Sequence, residues 1–314
     1  MTGPATIIVS SWSDGVSVLQ GGEMRRAFAG QSVCGLAPDG AGGAHALVGR
    51  GSLHAWTADG GWRELAARDA PLRCCVTLGR RLMIGTDEAR ILEFSDGAWR
   101  PIAGFDAMPG RESWYAGAAL IDGELVGPPL GVRSMAATCD GGALLVNIHV
   151  GGIARSTDGG ASWRPTIDID ADVHQVAAHP SRPQIAVAAA AAGLCVSRDG
   201  GESWSVTTEG LHASYCSAAA LTQDWLYVAA STDHFAAQGA LYRRRIDSDG
   251  PLQRVHGGLP EWLAGIADTY CIAANRERIA IADHGGGLYA SQDEGDSWSL
   301  LAQGLPAPSG VVIC

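Results

Sequence analysis

Along this chain apolar residues fall in short runs, each broken within a few positions by Gly, Asp, Asn or Pro. Short runs rich in Val, Ile and Ala and bounded by turn formers read as β-strands. One unit is clear, with strands at 173–178, 184–189, 193–197 and 203–208. Its neighbours begin at 32–37, 72–78, 132–138, 215–221 and 270–275, so six units carry a first strand of their own. The chain starts with three strands that lack one, at 6–11, 16–19 and 24–29, and finishes on an unpartnered strand at 310–314. Pairing the last strand with the first three completes a further unit.

An internal repeat carries the same message. Ser156-Thr157-Asp158-Gly159-Gly160-Ala161-Ser162-Trp163 recurs at Ser197 to Trp204 and at Ser291 to Trp298. A degenerate copy lies near 243–250, and shortened copies stand at Asp59-Gly60-Gly61-Trp62 and Asp96-Gly97-Ala98-Trp99. Asp accepts hydrogen bonds from its own turn, Gly supplies positive φ, and Trp covers the sheet. These aspartates therefore read as turn clamps and not as catalysts. The motif resembles the Asp-box, or BNR repeat, of sialidase-like propellers. The resemblance and the strand count imply an all-β fold: one domain over 1–314, a seven-bladed β-propeller closed by its C-terminal strand. Six blades is the competing count, because 100–131 is irregular.

Composition narrows the partners. The 22 cationic side chains are all Arg, against 33 acidic ones, for a net charge of −11. Lysine chemistry is excluded, and an acidic surface argues against nucleic acid. No apolar run reaches the length of a membrane span, and residues 1–12 lack a secretory pattern. Eight cysteines without a CxxC motif read as reduced thiols, so a cytoplasmic location is expected. Arg-only, Ala- and Gly-rich usage suggests a GC-rich bacterial source.

In a four-stranded blade the repeated turns mark one face, leaving the opposite face for a site. Its loops carry His149, His212, His234 and His284, and the innermost strands start at Arg73, Arg133, His174, Tyr215 and Tyr270. The five histidines are the candidate ligands of a divalent or transition metal ion. Arg73 and Arg133 are candidate binders of an anion. Trp114 and Tyr115, in the 100–131 insertion, are further substrate-binding candidates, and the insertion is a candidate lid. Tyr215, Tyr270, Asp172 and Asp268 are the candidate acids, bases or nucleophiles. Ala188–Ala192 reads as a bare loop on this face, and Cys34, Cys74, Cys216 and Cys271 as small packing residues.

The expected function is metal-assisted hydrolysis or elimination on a small polar or anionic molecule at the channel mouth. A non-catalytic binding module, similar to Ycf48-like assembly factors or sortilin-type receptors, is the alternative. A BNR-type glycoside hydrolase is the second alternative, although the Phe/Tyr-Arg-Ile-Pro motif of sialidases is missing. Oligomeric state is not legible.

Overall fold

A computed structural model describes residues 5–314 except 80, 118, 122, 123 and 128, and places the backbone alone at 119–121 and 124–126. Residues 1–4 of the N-terminal segment and those positions of the insertion thus lie outside the described residues. Among the described residues seven antiparallel sheets, here blades 1 to 7, make up the architecture, six of four strands and blade 6 with a short fifth strand at Leu263–Ala264. Blades 2 and 3 start at Val33–Pro38 and Leu72–Leu78, blades 4 and 5 at Gly131–Ala137 and Val173–Ala178, and blades 6 and 7 at Tyr215–Leu221 and Ile272–Asn275. Each innermost strand lies against that of the next blade, and the contacts return to their start. The fold is a seven-bladed β-propeller. No helix among the described residues is long and apolar enough to cross a membrane.

Closure follows the expected clasp. Pro308–Ile313 pairs antiparallel with Ile7–Ser11 and becomes the innermost strand of blade 1. Sheet edges are hidden by this radial arrangement. Each sheet is connected to the next by side-chain packing. The core is therefore divided into seven apolar clusters, and each one straddles two neighbouring blades.

The repeated turn is built as its residues dictate. In each full copy the first Ser donates to Asp Oδ1 at 2.8 Å, in Asp158, Asp199 and Asp293. The backbone N–H of Ser162, Ser203 and Ser297 donates to the same oxygen at 2.9 Å. Trp163 and Trp298 send Nε1–H to the carbonyls of Gly160 and Gly295 and wedge into the interface with the preceding blade. Trp62 and Trp99, in the shortened copies, bury Nε1 without a partner.

Two details differ from the sequence reading. Ala188–Ala190 belong to the buried strand Ala186–Ala190 of blade 5, so only Ala191 and Ala192 form the loop. Small residues there let blades 4 and 6 approach blade 5 closely. The insertion after Pro101 holds one helical turn at Ala103–Asp106 and a hairpin pairing Ala119–Ile121 with Glu124–Val126.

Candidate functional site

The side chains at the mouth are aimed by a repeated backbone device. In blades 2 to 6 the innermost strand skips one residue in its pairing, at Cys34, Arg73, Arg133, His174 and Ser217. In blade 1 the skipped residue is Ser309. An extra residue in a bulge has no ladder partner and turns its side chain out of the sheet. Here that direction is the axle. Cys34, Arg73, Arg133 and Ser309 face a central cavity of about 20 Å³, together with Trp12, Asp268, Thr269 and Tyr270. A space of that size holds one water molecule or one small ion.

Beside Arg133 and Thr269, but not among the residues that line this cavity, three groups converge. His149 ends the second strand of blade 4, His174 is the bulge residue of blade 5, and Asp172 precedes that strand in left-handed conformation at φ 49°. Their nearest ligand atoms all lie within 4.8 Å of one another. His149 Nε2 stands 3.2 Å from Asp172 Oδ1, and His174 Nε2 stands 3.6 Å from Oδ2. His174 Nδ1 contacts the Cys216 carbonyl at 2.6 Å. A carbonyl only accepts, so Nδ1 carries the proton and Nε2 is left facing a carboxylate oxygen. Two acceptors at that spacing are stable only with a cation between them, either a proton or a metal ion.

Two further observations belong to this group. Asp172 Oδ1 and His149 Nδ1 are buried and make no hydrogen bond. Gly117, from the insertion, lies directly over the His149 ring, and a Cβ there would sit 2.1 Å from Cε1. Tyr115 and Val150 exchange both backbone hydrogen bonds, at 3.1 and 2.8 Å, which seats the insertion on the turn after His149. The two imidazoles hold the Asp172 carboxyl far below the ordinary carboxylate range. Burial pushes the His149 pKa down, opposed by Asp172 and reinforced by the Arg133 charge.

Around the cavity itself the charges are paired. Asp87 lies between Arg50 and Arg73, with Arg73 Nη1 at 3.2 Å. Arg133 bonds Asp268 at 3.0 Å and the Thr269 hydroxyl at 2.9 Å. That hydroxyl donates in turn to the His174 carbonyl at 3.2 Å, which joins the two halves of the mouth. Burial pushes the Asp268 carboxyl up, but the Arg133 charge outweighs it and holds the group low.

The remaining predicted residues are placed as follows. Tyr215 packs its ring 4.5 Å from His174, and burial pushes its phenol up to about 12. Tyr270 is half-buried, its hydroxyl accepting from the Met135 N–H at 2.8 Å. Trp114 packs on Phe105, with Arg111 stacked 4.5 Å above it, while the Tyr115 side chain is 53% exposed. His234 and His284 stand on exposed loops of blades 6 and 7, and His234 is close enough to Asp268, Arg133 and His174 to feel their charges. His212 is not brought to this group. It bonds Tyr242 at 2.7 Å and meets Trp262 edge-on. The sequence reading did not single out Thr269 or Gly117, and neither residue carries a pattern that would have revealed it.

No protein-family model matches the chain, and no curated protein matches it. Solved structures do. A GH74 enzyme from Niastella koreensis is 13% identical at a TM-score of 0.62, over 93% of this chain and 46% of that one. The RRP9 WD40 repeats are 16% identical at 0.61, over 95% and 86%. YCF48 bound to D1 peptide is 15% identical at 0.54, over 96% and 86%. What these have in common is the propeller. The chain spans less than half of the GH74 structure, and at such identities the likeness is one of fold.

Proposed function

We propose that this propeller is a metal-dependent enzyme of the hydrolase or lyase type, acting on a small polar or anionic molecule at its mouth. The observation that carries this reading is the His149–Asp172–His174 group. Two imidazoles and one carboxylate suit zinc or ferrous iron and leave coordination positions open. The Cys216 carbonyl fixes the His174 tautomer that presents Nε2, the partner a metal-ligating histidine commonly has. A bound ion supplies a Lewis acid or a water of lowered pKa. Tyr215, its ring packed on His174, keeps its proton at neutral pH and is the proposed acid. Asp172 then acts as ligand, while Asp268 positions Arg133. The Ser-x-Asp turns support placing the chain with Asp-box propellers, and eight free thiols support a reducing, cytoplasmic setting.

The test is a titration of metal-free protein with zinc, ferrous iron and manganese, read by calorimetry and elemental analysis. About one ion per chain is expected, with affinity lost in His174→Ala and His149→Ala. Equal binding by these variants and the parent would overturn the metal centre.

A non-catalytic binding role is the second reading. The small size of the central cavity favours it, as do exposed aromatics: Phe235 is 76% and Trp12 37% exposed. In that case the metal titration is silent, while Phe235→Ala weakens a partner's binding.

A further inference from the structure

We propose that Arg73 and Arg133 form a subsite for a single carboxylate, so that the small molecule is an organic monoacid. Its use as substrate rests on the metal-centre reading above; the anion site itself does not. Both guanidiniums are largely buried and border the same water-sized cavity. They are close enough for the Arg133 charge to oppose that of Arg73. Like charges held together at a cavity, each with its aspartate elsewhere, leave a region of positive potential between them.

The donors remain to be used. Arg73 spends Nη1 on Asp87, and Arg133 spends Nε and Nη2 on Thr269 and Asp268. Among the described residues, Arg73 Nε and Nη2 and Arg133 Nη1 make no hydrogen bond and are not sealed from solvent. A planar anion can take two such donors at once, as guanidinium forks allow.

Charge selects the valence. Three arginines, Arg50, Arg73 and Arg133, face two aspartates, Asp87 and Asp268, which leaves one positive charge for one negative one. Phosphate carries more charge than that; of a carboxylate, one oxygen fills the water-sized cavity and the rest of the acid lies in the mouth outside it. Trp12, 5.6 Å from the Arg73 guanidinium and part of the same wall, offers an apolar plate for the stem of a short acid. Thr269 then links the carboxylate's Arg133 to the backbone of His174, so an acid held here would present its second functional group toward the histidines.

The experiment titrates metal-free protein with acetate, and separately with chloride and phosphate, by calorimetry. Saturable acetate binding stronger than that of either other anion is expected. Arg73→Gln should weaken it by about tenfold or more, because a charged hydrogen-bond pair is lost. Arg73→Lys, which keeps the charge but not the fork, should fall between. Asp87 retains Arg50 in both variants, so neither strands a buried charge. Zinc affinity, read on the same variants, should remain at the parental value and reports that the mouth is folded. Acetate affinity unchanged in Arg73→Gln, or no better than chloride, would overturn the subsite and leave the metal centre standing. Loss of zinc binding in His174→Ala with acetate binding retained separates the two sites in the other direction.

Discussion

Gly117 has no side chain, and the His149 imidazole occupies the space one would need. A Cβ would lie 2.1 Å from Cε1 and 2.4 Å from Nδ1. Neither group can yield freely, since His149 closes a buried strand and Tyr115, two residues before Gly117, exchanges both backbone hydrogen bonds with Val150. Gly117→Ala should therefore cost about 1–3 kcal/mol, the usual penalty of overpacking. It should also weaken zinc binding, because the imidazole must turn away from Asp172. Urea denaturation and the zinc titration check the two effects; a variant with parental values in both would show that the insertion yields. Nothing in the sequence marks this glycine, one of 43. Asp172 was legible as an acidic residue on the right face. Its pairing with two imidazoles was not, because that depends on where blade 4 ends and blade 5 begins. His212 illustrates the converse. Its loop is on the expected face, but Tyr242 and Trp262 capture the ring locally.

At the scale of the element, the Ser-x-Asp turns were readable because the bonds that hold each Asp are local. The hydroxyls of Ser162 and Ser297, then their backbone N–H groups, hold Asp158 and Asp293 down at about 2. For Asp199 burial pushes upward, and the bonds from Ser203 and Ser197 outweigh it, again to about 2. The ordinary value is 3.8. As pH falls the unfolded chain takes up these protons first, so the turns contribute fully above about pH 4 and lose that contribution toward about pH 2. Melting temperature should stay level from neutrality to about pH 4 on their account and then decline. A variant with Asn at all three positions should melt lower at neutral pH and show a shallower acid decline; an identical pH profile would remove the turns from the explanation. The bulges were not readable. Whether Arg133 or Ser134 is the skipped residue depends on the pairing with Asn147 and Ile148, and strand runs alone do not set that register. For the same reason Tyr215 was aligned with Arg73 and His174, whereas the bulge of blade 6 falls on Ser217.

For the whole molecule the decisive feature is that seven separate cores hold seven blades, with no ladder between the blade sheets among the described residues. The closing strand serves two of those cores at once. Val312 faces the cluster shared by blades 1 and 2, while Val311 and Ile313 face the one shared by blades 7 and 1. Alternation along a strand makes this obligatory, since neighbouring side chains point to opposite faces. This closure was visible in the sequence as three strands without a first and a last strand without a sheet. Val311→Ala and Val312→Ala should each cost about 2 kcal/mol, from two methyl groups apiece and the space they leave. Their effects should add within about 0.5 kcal/mol although the residues are adjacent, because they enter different cores. Removing 308–314 weakens both interfaces together and turns the closed ring into an open array with two ends. Open arrays of nearest-neighbour units unfold progressively from their ends. The shortened chain should therefore lose stability and broaden its guanidinium transition, with tryptophan fluorescence and far-ultraviolet dichroism no longer coincident. A single sharp transition at lower midpoint in both probes would mean that the blades cooperate without the clasp.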